Sequence, residues 1–504
     1  MNININKIKI EKLKRVQSYP IYIADILYEN EYFFSMYLGA NIINRYLLYQ
    51  DLQEQASLNQ DSLKDITSNI REVINILFLS SKIEKGECYY IGTHDNEDYI
   101  QINKTKAKIL GTDFKDIMSN IEYQRDVLPL ILDRINKYNK IIRILGARQV
   151  GKTYILNYIK KHLPDKKILY INCDNSDERI LIDTDSLSEI TFNIKGSDVL
   201  LIDEVQRLKD PGLTLKIIFD NMPNVKIIAT GSSSFFISQK TTDSLVGRFF
   251  DFYIKPLSLE EIVTDNNKIS FKNKVSKILP QLLIYGSYPE ILKEPSFDMK
   301  KEYLKNIVES YIFEDINILS ETKNINIVPN LAKALAYQIG SIVSEEELAN
   351  KLHVNRKTIS NYINMLEKTF IITRIYPYYG NKRREISAKY KVYFQDLGIR
   401  NSLIGDFNNI DLRKDNGYIW ENFLVIERQK RLNNQHKDFS FNFWRTYDGA
   451  EIDYIEKINN KEKAFEFKYS NKKTRSKGAK SFKDEYKIDV KFINGENFTD
   501  FILS

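Results

Sequence analysis

Unbroken apolar runs recur through the middle of this chain: Ile141 to Leu145, "KILYINCD" (167–174), Val199 to Ile202 and "VKIIATGSSS" (225–234). A further apolar-aromatic run follows Gly247-Arg248 in "DSLVGRFFDFYIKPLSLEE". Short continuous runs separated by helix-length amphipathic segments predict parallel strands buried on both faces. From 258 to about 335 the pattern is helical, broken at "YGSYPEIL" by Gly286 and Pro289. Ser344 with Glu347 then reads as a capping box, opening a short helix with Leu348 and Leu352 inward. Asn355 caps a second helix whose apolar stripe is Ile359, Ile363, Leu366 and Phe370, and strand, loop and strand follow. The C-terminal stretch reads as an amphipathic helix, "GYIWENFLVIERQKRL", then three strands. The last two, "AEIDYIEK" and "KAFEFKYS", alternate with period two about Asn459-Asn460. Near the N-terminus "ADILYENEYFFSMYLGANIINRYLLYQDLQEQ" and "SLKDITSNIREVINILFL" read as helices, and "ECYYIGTHDNEDYIQINKT" as a strand pair.

At 504 residues the chain exceeds one hydrophobic core, and its 28% charged and 43% hydrophobic residues are those of a soluble globular protein. Cys88 and Cys173 make no disulfide framework, and His94, His162, His353 and His436 are scattered, which disfavours histidine metal ligation. No run reaches the roughly 18 apolar residues of a membrane span, so a cytoplasmic protein with no membrane partner is expected. The net charge of +7 is unevenly placed: residues 350–392 carry ten Lys/Arg against two acids, and 468–491 nine against three. Concentrated basic segments are an electrostatic footprint of nucleic acid, or else a solvated face.

The strongest chemistry lies after the first apolar run. Gly146, Ala147, Arg148, Gln149, Val150, Gly151, Lys152 and Thr153 form G-x-x-x-x-G-K-T between a strand and an amphipathic helix. The two glycines allow a backbone that aims N–H groups at phosphate oxygens, at a helix N-terminus that favours anions. Lys152 suits the β/γ-phosphates and Thr153 the Mg²⁺ shell, which Asp203 would complete from the end of the third run. Glu204 follows Asp203 and is placed to orient or deprotonate an attacking water. Thr230, Ser232 and Ser233 read either as γ-phosphate sensors or as a plain polar loop. Arg248 reads either as an arginine finger, in cis or toward a neighbouring subunit, or as a surface ion pair. No Asn-Lys-x-Asp guanine reader is present, so ATP is preferred to GTP.

The two short helices and the basic loop Gly380-Asn381-Lys382-Arg383-Arg384 form the pattern of a winged helix-turn-helix. Arg356, Lys357 and Thr358 would meet DNA bases or phosphates, and Lys382, Arg383 and Arg384 its backbone or minor groove. Packing against protein is the competing use. In the last hairpin a two-residue turn puts Ile458 opposite Lys461, Asp453 opposite Glu466 and Glu451 opposite Lys468. Asp453, Glu466 and Lys468 then share one face, with Glu421 available from the preceding helix. Such carboxylates can hold one or two Mg²⁺ for phosphodiester hydrolysis, with Lys468 steadying nucleophile or phosphate. The same residues in an inactive scaffold would be a cross-strand charge cluster.

The stretches "YQRDVLPLI", "GARQVGKT", "LIDEVQ", "ATGSSSFFIS", "LVGRFFDFYIKPLSLEE", "YGSYPEIL", "VYFQDLGIRNSLIG", "GYIWENFLVIE" and "AEIDYIEK…FEFKYS" span about 120 to 470. They resemble bacterial and archaeal P-loop ATPases of the AAA/STAND-like group, whose long C-terminal region is a domain of unknown function. That resemblance implies ATP binding, probable hydrolysis and no settled biological role. The order Glu…Asp…Glu-x-Lys is similar to the restriction-endonuclease-like superfamily. The expected architecture is α/β and multi-domain. An α-rich extension (1–118), the site expected for self-association or a protein partner, precedes an ASCE-type parallel-sheet P-loop core (119–257). A helical lid (258–335), a winged helix (336–400) and a restriction-endonuclease-like α/β domain (401–504) follow. ATP and Mg²⁺ are the expected cofactors and DNA the expected partner.

Overall fold

The unbroken apolar runs become five parallel strands: β6 (Ile141–Gly146), β7 (Ile168–Asn172), β8 (Val199–Asp203), β9 (Lys226–Gly231) and β10 (Phe249–Ile254). The computed structural model describes strands within residues 8–102, and residues 123–231, 245, 247–264, 267–294, 296–312, 327–378, 389–446, 448–469 and 476–504. Sheet order is β10-β6-β9-β8-β7, so β9 lies between the strand entering the phosphate loop and the strand ending in Asp203. Every residue of β6 and β8 is buried, as expected of a sheet covered on both faces. The one charge in β6, Arg143, forms a two-pronged ion pair with Asp251 of β10 at 2.6 and 2.7 Å.

The chain divides into two compact units, Met1–Glu122 with Lys293–Pro295, and Tyr123–Leu292 with Ser296–Ser504. In the first, β1 (Ile8–Arg15), β2 (Ile21–Tyr28), β3 (Glu31–Gly39), β4 (Cys88–His94) and β5 (Glu97–Ile102) form one sheet in sequential order. The strand pair at 88–102 agrees with the sequence reading. The helix expected from 24 onward does not: residues 21–39 are two antiparallel strands, with Tyr28 opposite Glu31. Isoleucine, tyrosine and phenylalanine carry high β-propensity, which favours strands over a helix in this stretch. The helix read at 62–79 lies outside the described residues.

In the second unit, helices Lys268–Tyr285, Phe297–Asn306 and Ile327–Tyr337 follow the parallel sheet. Ser258 and Glu261 cap the chain's exit from β10 reciprocally. Helices Glu345–Leu352 and Arg356–Lys368 come next, with the antiparallel pair β11 (Ile372–Ile375) and β12 (Lys391–Phe394). The last sheet has the order β13 (Phe439–Arg445), β14 (Glu451–Ile458), β15 (Lys461–Phe467), β16 (Val490–Ile493), with β15 and β16 parallel.

Helix Asn416–Asn434 joins these parts, and it is not amphipathic as expected: Asn422, Glu427, Arg428, Gln429 and Lys430 are all buried. Each of these polar groups has a different neighbour to meet. Asn422 exchanges hydrogen bonds with the backbone of Phe394, and Arg428 pairs with Glu456 of β14. Glu427 accepts from the Leu259 N–H, while Lys430 donates to the Leu257 carbonyl and the Ser287 hydroxyl. A helix wrapped on all sides can carry charges only when each is paired.

Candidate functional site

β6 delivers the chain into the phosphate loop at Gly146, where there is room for hydrogen only. A Cβ built there would stand 2.3 Å from the Ile254 carbonyl oxygen. Gln149 and Gly151 take left-handed backbone conformations, φ +63 and +98, which turn the loop into helix Lys152–His162. Val150 is fully buried beneath the loop, while Arg148 is half-buried and Gln149 exposed. Lys152 is buried; its ammonium donates to the carbonyls of Gly146 (3.1 Å) and Ala147 (2.9 Å) and lies 3.8 Å from Glu204.

Asp203, fifty residues downstream of Thr153, meets it directly: the Thr153 hydroxyl donates to Asp203 Oδ2 at 2.8 Å. The Tyr170 hydroxyl donates to the same oxygen at 3.0 Å, and Thr230 to Oδ1. Tyr170 was not singled out from the sequence, where it is one aromatic residue in an apolar strand. Burial, then the Asp203 charge, pushes its phenol pKa up, so it stays a donor at neutral pH. A threonine hydroxyl beside a carboxylate is a hard oxygen pair suited to Mg²⁺. Glu204 adopts φ +53, unusual for a non-glycine, and its N–H donates to Thr230 while Gln206 donates to its carboxylate. Ser232 and Ser233 lie outside the described residues.

Arg248 is not at this end of the sheet. In the parallel β10–β6 pair Phe249 faces Ile141 and Ile254 faces Gly146, and the Arg248 carbonyl accepts from the Ile141 N–H. Six residue steps from Arg248 to Ile254, about 20 Å at ~3.3 Å each, separate it from the phosphate loop. Its guanidinium pairs with Asp220 at 2.9 Å. The expectation of an arginine finger in cis is therefore corrected. Arg248 stands just before β10, at the opposite end of that strand from Ile254 and the phosphate loop.

In helix Arg356–Lys368 the Arg356 side chain is 73% exposed and ion-paired with Glu345 at 3.3 Å. Lys357 is exposed, and the Thr358 hydroxyl is taken up by Asn355 Oδ1 at 2.9 Å. Lys382, Arg383 and Arg384 lie outside the described residues.

The C-terminal hairpin has the expected register. Asn459 and Asn460 both take positive φ, Ile458 faces Lys461 and Tyr454 faces Phe465. One step further along that register lie Asp453 and Glu466; Asp453 accepts from the Phe467 N–H at 2.7 Å, and Lys468 donates to Glu466 Oε1 at 2.7 Å. Glu466 is buried, and the Ser476 side chain also acts on its carboxylate. Glu451, expected opposite Lys468 in the register, meets Arg445 at 3.4 Å and the ammonium of Lys391. Lys391 also contacts Glu421 Oε1 at 2.9 Å, an oxygen that accepts from Tyr393 at 2.5 Å.

Neither Lys391 nor Tyr393 was legible as a site residue. The signal available was a lysine inside the buried run "YKVYF". Burial, and then the charges of Glu421 and Glu466, push the Asp453 carboxyl well up, and burial raises Glu466 against the pull of Lys468. Burial alone would lower Lys391, but Glu421, Tyr393 and Glu451 together hold it well above the usual lysine range. Among the described residues no three His, Cys, Asp or Glu side chains are grouped as a metal-ion site. Asp453 and Glu466 already meet the Phe467 N–H and the Lys468 ammonium, and Glu421 meets Lys391 and Tyr393.

Residues 138–263 match the family described as an AAA domain, and 276–409 and 416–498 match two domains of unknown function, DUF8612 and DUF4143. An uncharacterized protein of Methanocaldococcus jannaschii is 28% identical over 444 residues, covering 84% of this chain and 91% of its own. One of Haemophilus influenzae is 25% identical over 330 residues, 62% of this chain and 78% of its own. The solved structure of AMPPCP-bound DnaA from Aquifex aeolicus is 17% identical, covers 48% of this chain and 86% of its own, and has a TM-score of 0.22. With the phosphate loop, the parallel sheet and the Thr153–Asp203 contact already in place, the chain carries an AAA-like P-loop domain followed by C-terminal domains of unknown function.

Proposed function

We propose that this protein is a Mg²⁺-dependent ATPase that couples its nucleotide state to DNA binding, and through its C-terminal domain to phosphodiester cleavage. The observation that carries the ATPase reading is the 2.8 Å contact of Thr153 with Asp203, beside a Lys152 that lies 3.8 Å from Glu204. Thr153 and Asp203 would hold Mg²⁺, which neutralises charge on the β- and γ-phosphates when bound. The loop N–H groups from Ala147 to Lys152 cradle the phosphates, and the Lys152 ammonium exchanges its two carbonyl partners for phosphate oxygens. Glu204 orients water and takes its proton. Arg248 acts on the site of a neighbouring copy or serves only as a surface ion pair with Asp220.

For DNA, the exposed Arg356 and Lys357 at the start of a capped helix support contact by a winged helix; Lys382, Arg383 and Arg384, outside the described residues, are assigned to the same contact from the sequence alone. For cleavage, Asp453 and Glu466 would hold the metal, with Glu421 and Lys468 beside them. Among the described residues no helix is long and apolar enough to cross a membrane. The N-terminal extension is left to self-association or a protein partner, and a cytoplasmic setting fits the composition.

A second reading keeps the ATPase and drops cleavage, the protein being a nucleotide-controlled switch on DNA or a protein partner. The ion pairs that Lys391 makes with Glu421 and Glu451 favour it. Purified protein with duplex DNA, Mg·ATP and Mn²⁺ separates the two, beside Lys468→Ala. Salt-dependent binding with products that vanish in the variant supports cleavage; binding without products supports the switch. Absence of salt-dependent binding removes DNA from both.

A further inference from the structure

β9 lies between β6 and β8, with Thr230 opposite Ile144 on one side and Ala229 opposite Ile202 on the other. Thr230 therefore stands between the strand that enters the phosphate loop and the strand that ends in Asp203. It is fully buried. Its hydroxyl meets both acidic residues at once, donating to Asp203 Oδ1 and accepting from the Glu204 N–H at 3.1 Å. The other Asp203 oxygen is held by Thr153 at 2.8 Å and Tyr170 at 3.0 Å. Glu204, at φ +53, occupies the left-handed region that residues with side chains seldom adopt. Three contacts keep it there. Thr230 takes its N–H, its carbonyl accepts from the Arg207 N–H at 3.0 Å, and Gln206 donates to its carboxylate.

Successive side chains of an extended strand point to opposite faces, so two neighbouring carboxylates can serve one phosphate group only if the backbone turns sharply between them. Here both face the loop, Asp203 at Thr153 and Glu204 at Lys152, 3.8 Å away. The left-handed turn at Glu204 makes that possible, and the Thr230 hydroxyl ties the turn to the Asp203 side chain. We infer that Thr230 is a positioning residue, which fixes Asp203 and Glu204 relative to each other and does not read the γ-phosphate. This rests on reading the site as that of an ATPase. A threonine hydroxyl has one proton and two lone pairs. Its proton is committed to Asp203, and unprotonated phosphate oxygens only accept. The hydroxyl therefore cannot donate to a γ-phosphate without releasing the carboxylate.

The test compares the full-length parent with Thr230→Val, which keeps the shape and removes the hydroxyl, and with Thr230→Ser, which restores it. Calorimetric titration with Mg²⁺ and either ADP or a non-hydrolysable ATP analogue is paired with single-turnover hydrolysis of ATP. In Thr230→Val the ratio of the two affinities should match the parent's, while hydrolysis slows by about 10²-fold through misplacement of Glu204. Thr230→Ser should recover most of the rate. A loss of about tenfold or more in affinity for the ATP analogue, with ADP unaffected, would make Thr230 a γ-phosphate donor and overturn the inference. Hydrolysis by Thr230→Val at the parent's rate would overturn it too, while leaving the ATPase reading standing. A parent that hydrolyses no Mg·ATP removes the ATPase reading, and this inference with it. Should Thr230→Val fail to fold, Thr230→Ala, which brings no methyl group against Asp203, is measured in its place with the same expected and opposing results.

Discussion

Gly146 and Ile254 touch backbone to backbone, with the carbonyl oxygen of Ile254 occupying the space a side chain at 146 would need. The relationship ties the phosphate loop to the end of β10. From there the chain passes directly to Lys255, Leu257 and Leu259, all three hydrogen-bonded to helix Asn416–Asn434. The loop that binds nucleotide and the helix that carries Glu421 are thus two short steps apart.

Gly146→Ala should disturb that contact, since a methyl group 2.3 Å from a backbone oxygen forces the loop or the strand to shift. Overpacking of this kind costs about 1–3 kcal/mol. A lower melting temperature and at least a tenfold loss of Mg·ATP affinity are expected, by thermal denaturation and calorimetric titration. An unchanged affinity would mean that the loop does not need this close approach.

Glu204→Gln keeps the size and the hydrogen-bonding capacity of the side chain but removes its basicity. ATP affinity should stay within a few-fold, while turnover falls by roughly 10²–10⁴. Single-turnover hydrolysis with excess enzyme is the measurement. Turnover equal to that of the parent would transfer the base role away from Glu204.

Arg428 and Glu456 are each 1% exposed and meet at 2.8 and 3.0 Å. Glu456→Gln leaves a buried guanidinium without its counter-charge and should cost about 3–5 kcal/mol. Replacing both residues by apolar ones of similar volume should cost much less. Urea denaturation of the singles and the double reads the difference, and additive losses would argue against a coupled pair.

Lys255, packed between β10 and the helix, has its pKa lowered to about 7 by burial and by the charge of Lys430, against the pull of Glu427. Below that pH the ammonium is charged folded and unfolded, and folding bears its desolvation in full. Between about 7 and the ordinary lysine value near ~10.4 the unfolded chain holds a proton that the folded chain has released, so stability rises with pH. Lys255→Met should therefore be more stable than its parent at pH 6, with the gap closing toward pH 10. Denaturation midpoints across that range check the sign; a gap independent of pH would show that Lys255 does not titrate there.

The local elements of the ATPase core were legible because they obey short-range rules. A continuous apolar run, a glycine-spaced loop and an acidic strand end each announce themselves within ten residues. The hairpin at Asn459-Asn460 was equally readable, since two asparagines at positive φ set the register, and the register sets the faces. Residues 21–39 were misread because, over so short a span, cross-strand pairing outweighs a loosely helical spacing.

By itself, then, the sequence determined that a phosphate loop precedes an acidic strand end and that Asp453, Glu466 and Lys468 share a hairpin. Only the tertiary structure decided that Arg248 stands at the far end of its strand from the loop, because strand order and direction are long-range properties. It also decided that Lys391 enters the carboxylate cluster and that residues 419–430 of helix Asn416–Asn434 are buried on every side. Those facts depend on which separate elements pack together, and a buried charge has no sequence signature until its partner, thirty or sixty residues away, is brought beside it.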